Sequence, residues 1–146
     1  MLFVYGLAWV TAVNAQDYRI ETIAEGLSHP WSIAFLPDGE MLVTERDGYL
    51  RSIRDDRLNP VAIRGVPEVY VAGQGGLFDV VIDPDYERTG YIYLSYAQGT
   101  RKANATQVAR ARLEENQLVD LEVIFTVEPT KDTPHHFGGR MVFLPD

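Results

Sequence analysis

The stretch IAFLPDGEMLVTE, Ile33–Glu45, holds two apolar runs joined by Pro37-Asp38-Gly39. Proline fixes φ at one turn position and glycine supplies positive φ at another, so the segment reads as strand, tight turn, strand. The same grammar returns in VVIDPDYERTGYIYLSY, Val80–Tyr96, and begins again in MVFLPD, Met141–Asp146. The shared prolines Pro37, Pro84 and Pro145 stand 47 and 61 residues apart. Sheets of about four strands recurring roughly every 40–50 residues mark the blades of a β-propeller. A β-sandwich would also give regular turns; the repeat favours the propeller.

The rest of the chain is of the same kind. Short bursts of Val, Ile, Tyr and Phe are separated by Gly, Pro and Asp, which reads as all-β. Strands are expected at Tyr18–Ile23, Trp31–Phe35, Met41–Thr44, Leu50–Ile53, Glu68–Val71, Leu77–Ile82, Ile92–Ala97, Thr106–Leu113 and Glu122–Val127. Leu113–Asp120 is the one place a helical turn could hide, and its Glu115-Asn116 pair reads better as a hairpin. Because Met141–Asp146 opens a third repeat, residues 16–146 read as the N-terminal part of a longer propeller domain, incomplete and inactive alone.

Composition narrows the function. With 46% hydrophobic and 23% charged residues in 146, the chain can build one modest globular core. Its net charge of −8 repels phosphate backbones, which argues against a nucleic-acid partner. The chain has no cysteine, so disulfides, thiolate zinc sites and cysteine nucleophiles are excluded. Met1–Ala15 is uncharged and mostly apolar, and it closes on Val13-Asn14-Ala15 before polar Gln16-Asp17. Small residues at those positions fit a signal-peptidase site, although no basic residue opens the run. The run is shorter than the roughly 20 apolar residues of a membrane-spanning helix. The expectation is a periplasmic or secreted protein whose mature chain begins near Gln16 and has no membrane span.

Two segments carry candidate chemistry. In TPHHFGGR, Thr133–Arg140, adjacent His135 and His136 would point to opposite faces of a strand and could not share a metal. No second ligand cluster accompanies them, so no metal site is expected. One histidine could act as a proton-abstracting base, with Gly138-Gly139 bringing backbone close to a ligand and Arg140 holding an anion. A plain surface loop would also explain the pair. In AGQGGLFDVV the polar Gly73-Gln74-Gly75-Gly76 precedes a strand but lacks the spacing of a dinucleotide or phosphate loop. Gln74 could offer a donor and an acceptor to a sugar, or merely sit in a turn. Asp38, Asp47, Asp55, Asp56, Asp83 and Asp85 lie at turns without calcium-loop spacing, and no Gly-x-Ser-x-Gly elbow is present.

HPWSIAFLPDGEMLVTERDGYLR (His29–Arg51), GQGGLFDVVIDPDYERTGYIYLSY (Gly73–Tyr96) and HHFGGRMVFLPD (His135–Asp146) together resemble the glucose/sorbosone dehydrogenase family, most closely its aldose sugar dehydrogenases. The resemblance covers nearly all of Gln16–Asp146. It implies an exported quinoprotein, a six-bladed β-propeller using pyrroloquinoline quinone (PQQ) and calcium, of which this chain supplies about two blades and the start of a third. The implied reaction oxidises an aldose to its lactone and passes electrons to a periplasmic acceptor. His136, heading His-x-x-Gly-Arg, matches the family's general base, and Gln74, in Gln-x-Gly-Leu, matches a pocket residue that contacts substrate. His135 stands where the glucose-oxidising branch has an acidic residue. The remaining quinone contacts and the calcium ligands would lie in later blades. Two other readings stay open: a propeller lactonase or other hydrolase, which would need an inward carboxylate–metal cluster, and a non-catalytic propeller that binds sugar or protein.

Overall fold

The computed structural model describes residues 18–145; the leader expected at Met1–Ala15 lies outside them. The described residues form two four-stranded antiparallel meanders. The first contains β1 (Pro30–Phe35), β2 (Met41–Glu45), β3 (Tyr49–Arg54) and β4 (Arg57–Leu58). The second contains β5 (Leu77–Ile82), β6 (Tyr91–Thr100), β7 (Ala103–Glu114) and β8 (Gln117–Thr126), with one helical turn, α1 (Tyr86–Thr89), between β5 and β6. Each sheet is the four-stranded unit that the Pro-Asp repeat predicts.

Local chemistry sets the turns. Between β1 and β2, Gly39 at φ 89° donates its N–H to Leu36 O, and the Asp38 carboxylate accepts from Glu40 N. Between β3 and β4, Asp55 and Asp56 both take positive φ, 50° and 57°, the geometry of a two-residue hairpin turn. The two-residue β4 is absent from the sequence expectations, because Arg57-Leu58 is too short to show a pattern. The helical turn α1 is absent from them too. Asp83 accepts from Asp85 N, which starts the turn, and Gly90 at φ 67° ends it.

Two expected strands do not form. Tyr18–Ile23 has the right residues but no partner among the described residues, and Tyr18 and Ile20 are almost fully exposed. Glu68–Val71 makes a bond from Tyr70 N to Ala97 O but no ladder. Met141–Pro145, expected to open a third repeat, forms no strand among the described residues, although Phe143 packs edge-on against Tyr93 with ring centres 5.2 Å apart.

The sheets stack face to face, with β5 against β1 and β2. Leu42 and Leu50 from the first sheet meet Leu77, Ile92 and Leu94 from the second, all essentially without solvent exposure. Each such side chain contributes about 1.5–3 kcal/mol on burial, which makes this seam the main source of cohesion. Polar bonds then fix how the sheets meet. The Thr44 hydroxyl donates to Phe78 O at 2.6 Å, and Leu77 N donates to Arg46 O at 2.9 Å.

The buried carboxylate of Asp79 on β5 joins three segments. Its Oδ1 accepts from the Ser32 hydroxyl of β1 at 2.5 Å and from Arg140 Nη1 at 3.1 Å. Its Oδ2 accepts from Met141 N at 2.9 Å. Arg140 remains 70% exposed, so solvent screens the ion pair and the short bonds to Ser32 and Met141 carry more of the energy. Asp79→Ala would leave a buried hydroxyl and an amide unpaired. Hydrogen bonds to charged groups contribute about 1.5–3 kcal/mol each, so in the full-length protein the loss should be about 2–4 kcal/mol by urea denaturation. A loss below about 1 kcal/mol would show that water replaces the carboxylate without penalty.

Candidate active site

The segment that follows β8 folds back over the seam and brings the two chemistry-bearing segments together. Gly73 sits at φ 55° against Pro134, where an added Cβ would come within 2.5 Å of Pro134 O. That approach lets Gln74 N donate to Pro134 O at 2.8 Å. The Gln74 side chain answers it: its Oε1 accepts from His136 N at 2.8 Å. Gln74 is therefore held to the histidine segment by two hydrogen bonds, its main chain to Pro134 and its side chain to His136, and both Gln74 and His136 are exposed.

His136 takes φ 60°, left-handed backbone that costs a non-glycine residue about 1–3 kcal/mol unless its surroundings fix it. The Gln74 bond fixes one side. On the other, Phe137 is buried, its carbonyl accepts the Thr106 hydroxyl at 2.6 Å, and its ring packs 5.7 Å from that of Phe78. Phe78 in turn meets Trp31 at 5.6 Å. The result is an exposed imidazole on an anchored backbone, whose ring nitrogens have no hydrogen-bond partner among the described residues. Such a group can take a proton from an alcohol that comes within hydrogen-bond reach of the ring.

The His135 ring goes elsewhere: its Nδ1 lies 3.2 Å from the Thr133 hydroxyl, and its centroid is 6.4 Å from that of His136 with the planes at 55°. Among the described residues no group of three or more His, Cys, Asp or Glu could hold a metal ion. Arg140 belongs to the Asp79 junction and stacks its guanidinium 4.3 Å above the Trp31 ring. The anion it holds here is a carboxylate of its own chain. Asp79 and Phe137 are not among the residues that sequence reasoning singles out, although a charged residue inside the apolar strand LFDVVI is a visible signal for the first.

A groove of about 690 Å³ reaches Trp31, Ser32 and Arg140 but is lined by neither His136 nor Gln74. It runs along the outer face of the first sheet, over Ile33, Phe35, Val43 and Ile53, and is apolar. The rim formed by Gln74, His135 and His136 is exposed. The functional candidate is the rim, because there a potential base and an amide converge.

The family model for glucose/sorbosone dehydrogenases matches residues 27–146. The chain is 40% identical over 129 residues to an aldose sugar dehydrogenase of Escherichia coli, covering 86% of this chain and 35% of that protein. The crystal structure of the soluble aldose sugar dehydrogenase from Escherichia coli, in its apo form, superposes on it with a TM-score of 0.79 at 41% identity, covering 84% of this chain and 37% of that one. The PQQ-bound aldose sugar dehydrogenase from Streptomyces coelicolor superposes with a TM-score of 0.71 at 27% identity, covering 83% and 36%. The chain spans about a third of the length of the curated relatives it matches. The two sheets are accordingly two blades of a β-propeller.

The clamp makes a local prediction. A neutral hydrogen bond is worth about 0.5–1.5 kcal/mol, so Gln74→Ala should speed hydrogen exchange of the His136 amide by roughly 2- to 15-fold in NMR. Exchange in β6 should stay unchanged. An unaltered His136 rate would mean that Gln74 does not hold it.

Proposed function

The chain belongs to the glucose/sorbosone dehydrogenase family, and on that premise we propose that its full-length protein is an exported, PQQ-dependent enzyme that oxidises aldose sugars to lactones. The observation that carries the reading is the Gln74–His136 clamp, which sets an anchored, solvent-facing imidazole beside an amide. Electrons would pass onward to a periplasmic acceptor.

The donor set suits one edge of a planar, acceptor-rich cofactor. Gln74 has committed its oxygen to His136 N, which leaves its Nε2 to donate. A Cβ added at Gly138 would meet nothing within 4 Å, so the rim there is open to a flat ligand. His136 and Gln74 would border PQQ on this side, while calcium would be held by residues of other blades. When bound, PQQ supplies the acceptor for the hydrogen and electron pair of the sugar's C1–H bond.

The chain's own part is to place and deprotonate the sugar. His136 removes the proton of the anomeric hydroxyl, so the C1–O bond gains double-bond character as the C1 hydrogen leaves. The Gln74 Nε2 donor orients a sugar oxygen and favours one approach of C1–OH to the ring. Position is worth as much as basicity here, because a misplaced base loses the advantage of being already in line. His135, directed at Thr133, borders the sugar rather than the reacting bond. With no carboxylate at that position, it would shift preference away from glucose.

A positioned base contributes about 10²–10⁴ in rate. In the full-length enzyme His136→Asn should therefore lower kcat by that order while PQQ titration stays normal. His135→Asn should change KM more than kcat. Wild-type kcat in His136→Asn together with a collapsed kcat in His135→Asn would identify the wrong histidine.

A further inference from the structure

Lys131 lies outside every motif that the sequence offers, yet its ammonium is fully engaged at the base of the histidine segment. Its Nζ donates to Asn104 Oδ1 at 2.9 Å and to Thr133 O at 3.2 Å. The same nitrogen stands 3.2 Å from the centroid of the Phe137 ring. An ammonium has three donors, and here two acceptors and one aromatic face take them. The backbone adds a bridge: Lys131 N donates to Asn104 O and Asn104 N to Lys131 O, both at 2.9 Å. Asn104 is itself completely buried at the start of β7, and its Nδ2 donates to Thr100 O. This lysine is built into the fold rather than extended into water.

Phe137 directly follows His136, so whatever fixes its ring also limits the torsions around the imidazole. We propose that Lys131 is a positioning residue that acts on His136 through Phe137; the inference rests on His136 being the base. Phe78 packs against the Phe137 ring, the Thr106 hydroxyl holds the Phe137 carbonyl, and Lys131 adds a cation on the ring. Burial pushes the Lys131 ammonium below the usual lysine range, and the ring face with its two acceptors offsets that cost. Removing the charge would loosen the ring without emptying the core, since Phe78 and Thr106 remain. Left-handed backbone at His136 persists only while its neighbours over-determine it, so this loosening reaches the imidazole. Loss of alignment lowers the rate of the chemical step and spares sugar binding.

The test is a double-mutant cycle in the full-length enzyme loaded with PQQ, paired with hydrogen exchange of the cofactor-free protein. Lys131→Met keeps the aliphatic stem and removes the charge. It should lower kcat about 5- to 20-fold with KM changed less than about twofold. In a His136→Asn background it should cost less than about twofold more, because residues that act through one another are not additive. In the cofactor-free protein, amide exchange across residues 133–137 should rise about tenfold while β5 and β6 stay protected. Lys131→Gln, which keeps an amide donor for Asn104, carries the same cycle if the methionine variant does not fold. Full kcat in the lysine variants, or an equal loss with and without His136, overturns the proposal while leaving the base assignment standing. A wild-type kcat in His136→Asn alone overturns the base assignment, and the role of Lys131 with it.

Discussion

The buried carboxylate of Asp79 is the point on which the rest of the structure depends. A charge inside a sheet is tolerated only with several donors, and Asp79 draws three donors from two other stretches of chain. One is β1 of the neighbouring blade, and the other is Arg140-Met141 just beyond the histidines. Hydrophobic burial between the blades is larger in total, but it is non-directional and would tolerate sliding. The carboxylate would not. It fixes the depth at which β5 meets β1 and the place where Met141 leaves the second blade.

From that anchor the histidine segment has little freedom. Gly139 lies against the Phe78 ring, where an added Cβ would stand 3.0 Å away, and its carbonyl accepts the Ser95 hydroxyl. Ser95 also accepts from Asp79 N, so the residue that holds the carboxylate's backbone holds the loop as well. At the other end Pro134 receives Gln74 N. Between these two fixed points the chain turns tightly, with His136, Gly138 and Gly139 all at positive φ. Its exposure and strained backbone therefore follow from the anchoring of the residues on either side.

Local chemistry is legible wherever strands carry their own signal. Leu77–Ile82 is legible at both ends, because Gly76 and Asp83-Pro84 bracket a run that is apolar except for Asp79. Tyr18–Ile23 has the same residue types and is no strand, since pairing needs a partner that sequence pattern does not supply. DPDYERTG hides its helical turn because Asp, Pro and Gly serve a β-turn and a capped helical turn equally well. In the site, His136 and Gln74 are each visible by residue type, yet the bond that joins them spans 62 positions. Asp79 reaches Ser32 across 47 positions and Arg140 across 61. Arg140 is legible as an anion holder; that the anion is internal is not. Contacts of that range are set by the stacking of repeats, and no local pattern encodes them.

The central claim is that two blades of this chain build the base-bearing edge of a quinone-dependent sugar oxidation site. Its most direct test uses the purified full-length apoprotein, titrated with PQQ in the presence of calcium and an aldose, with an electron-acceptor dye as the readout. The account predicts bleaching that saturates with both PQQ and sugar, forms lactone in proportion, and is absent without PQQ. Bleaching independent of PQQ, or none at saturating PQQ across a panel of aldoses, would contradict it.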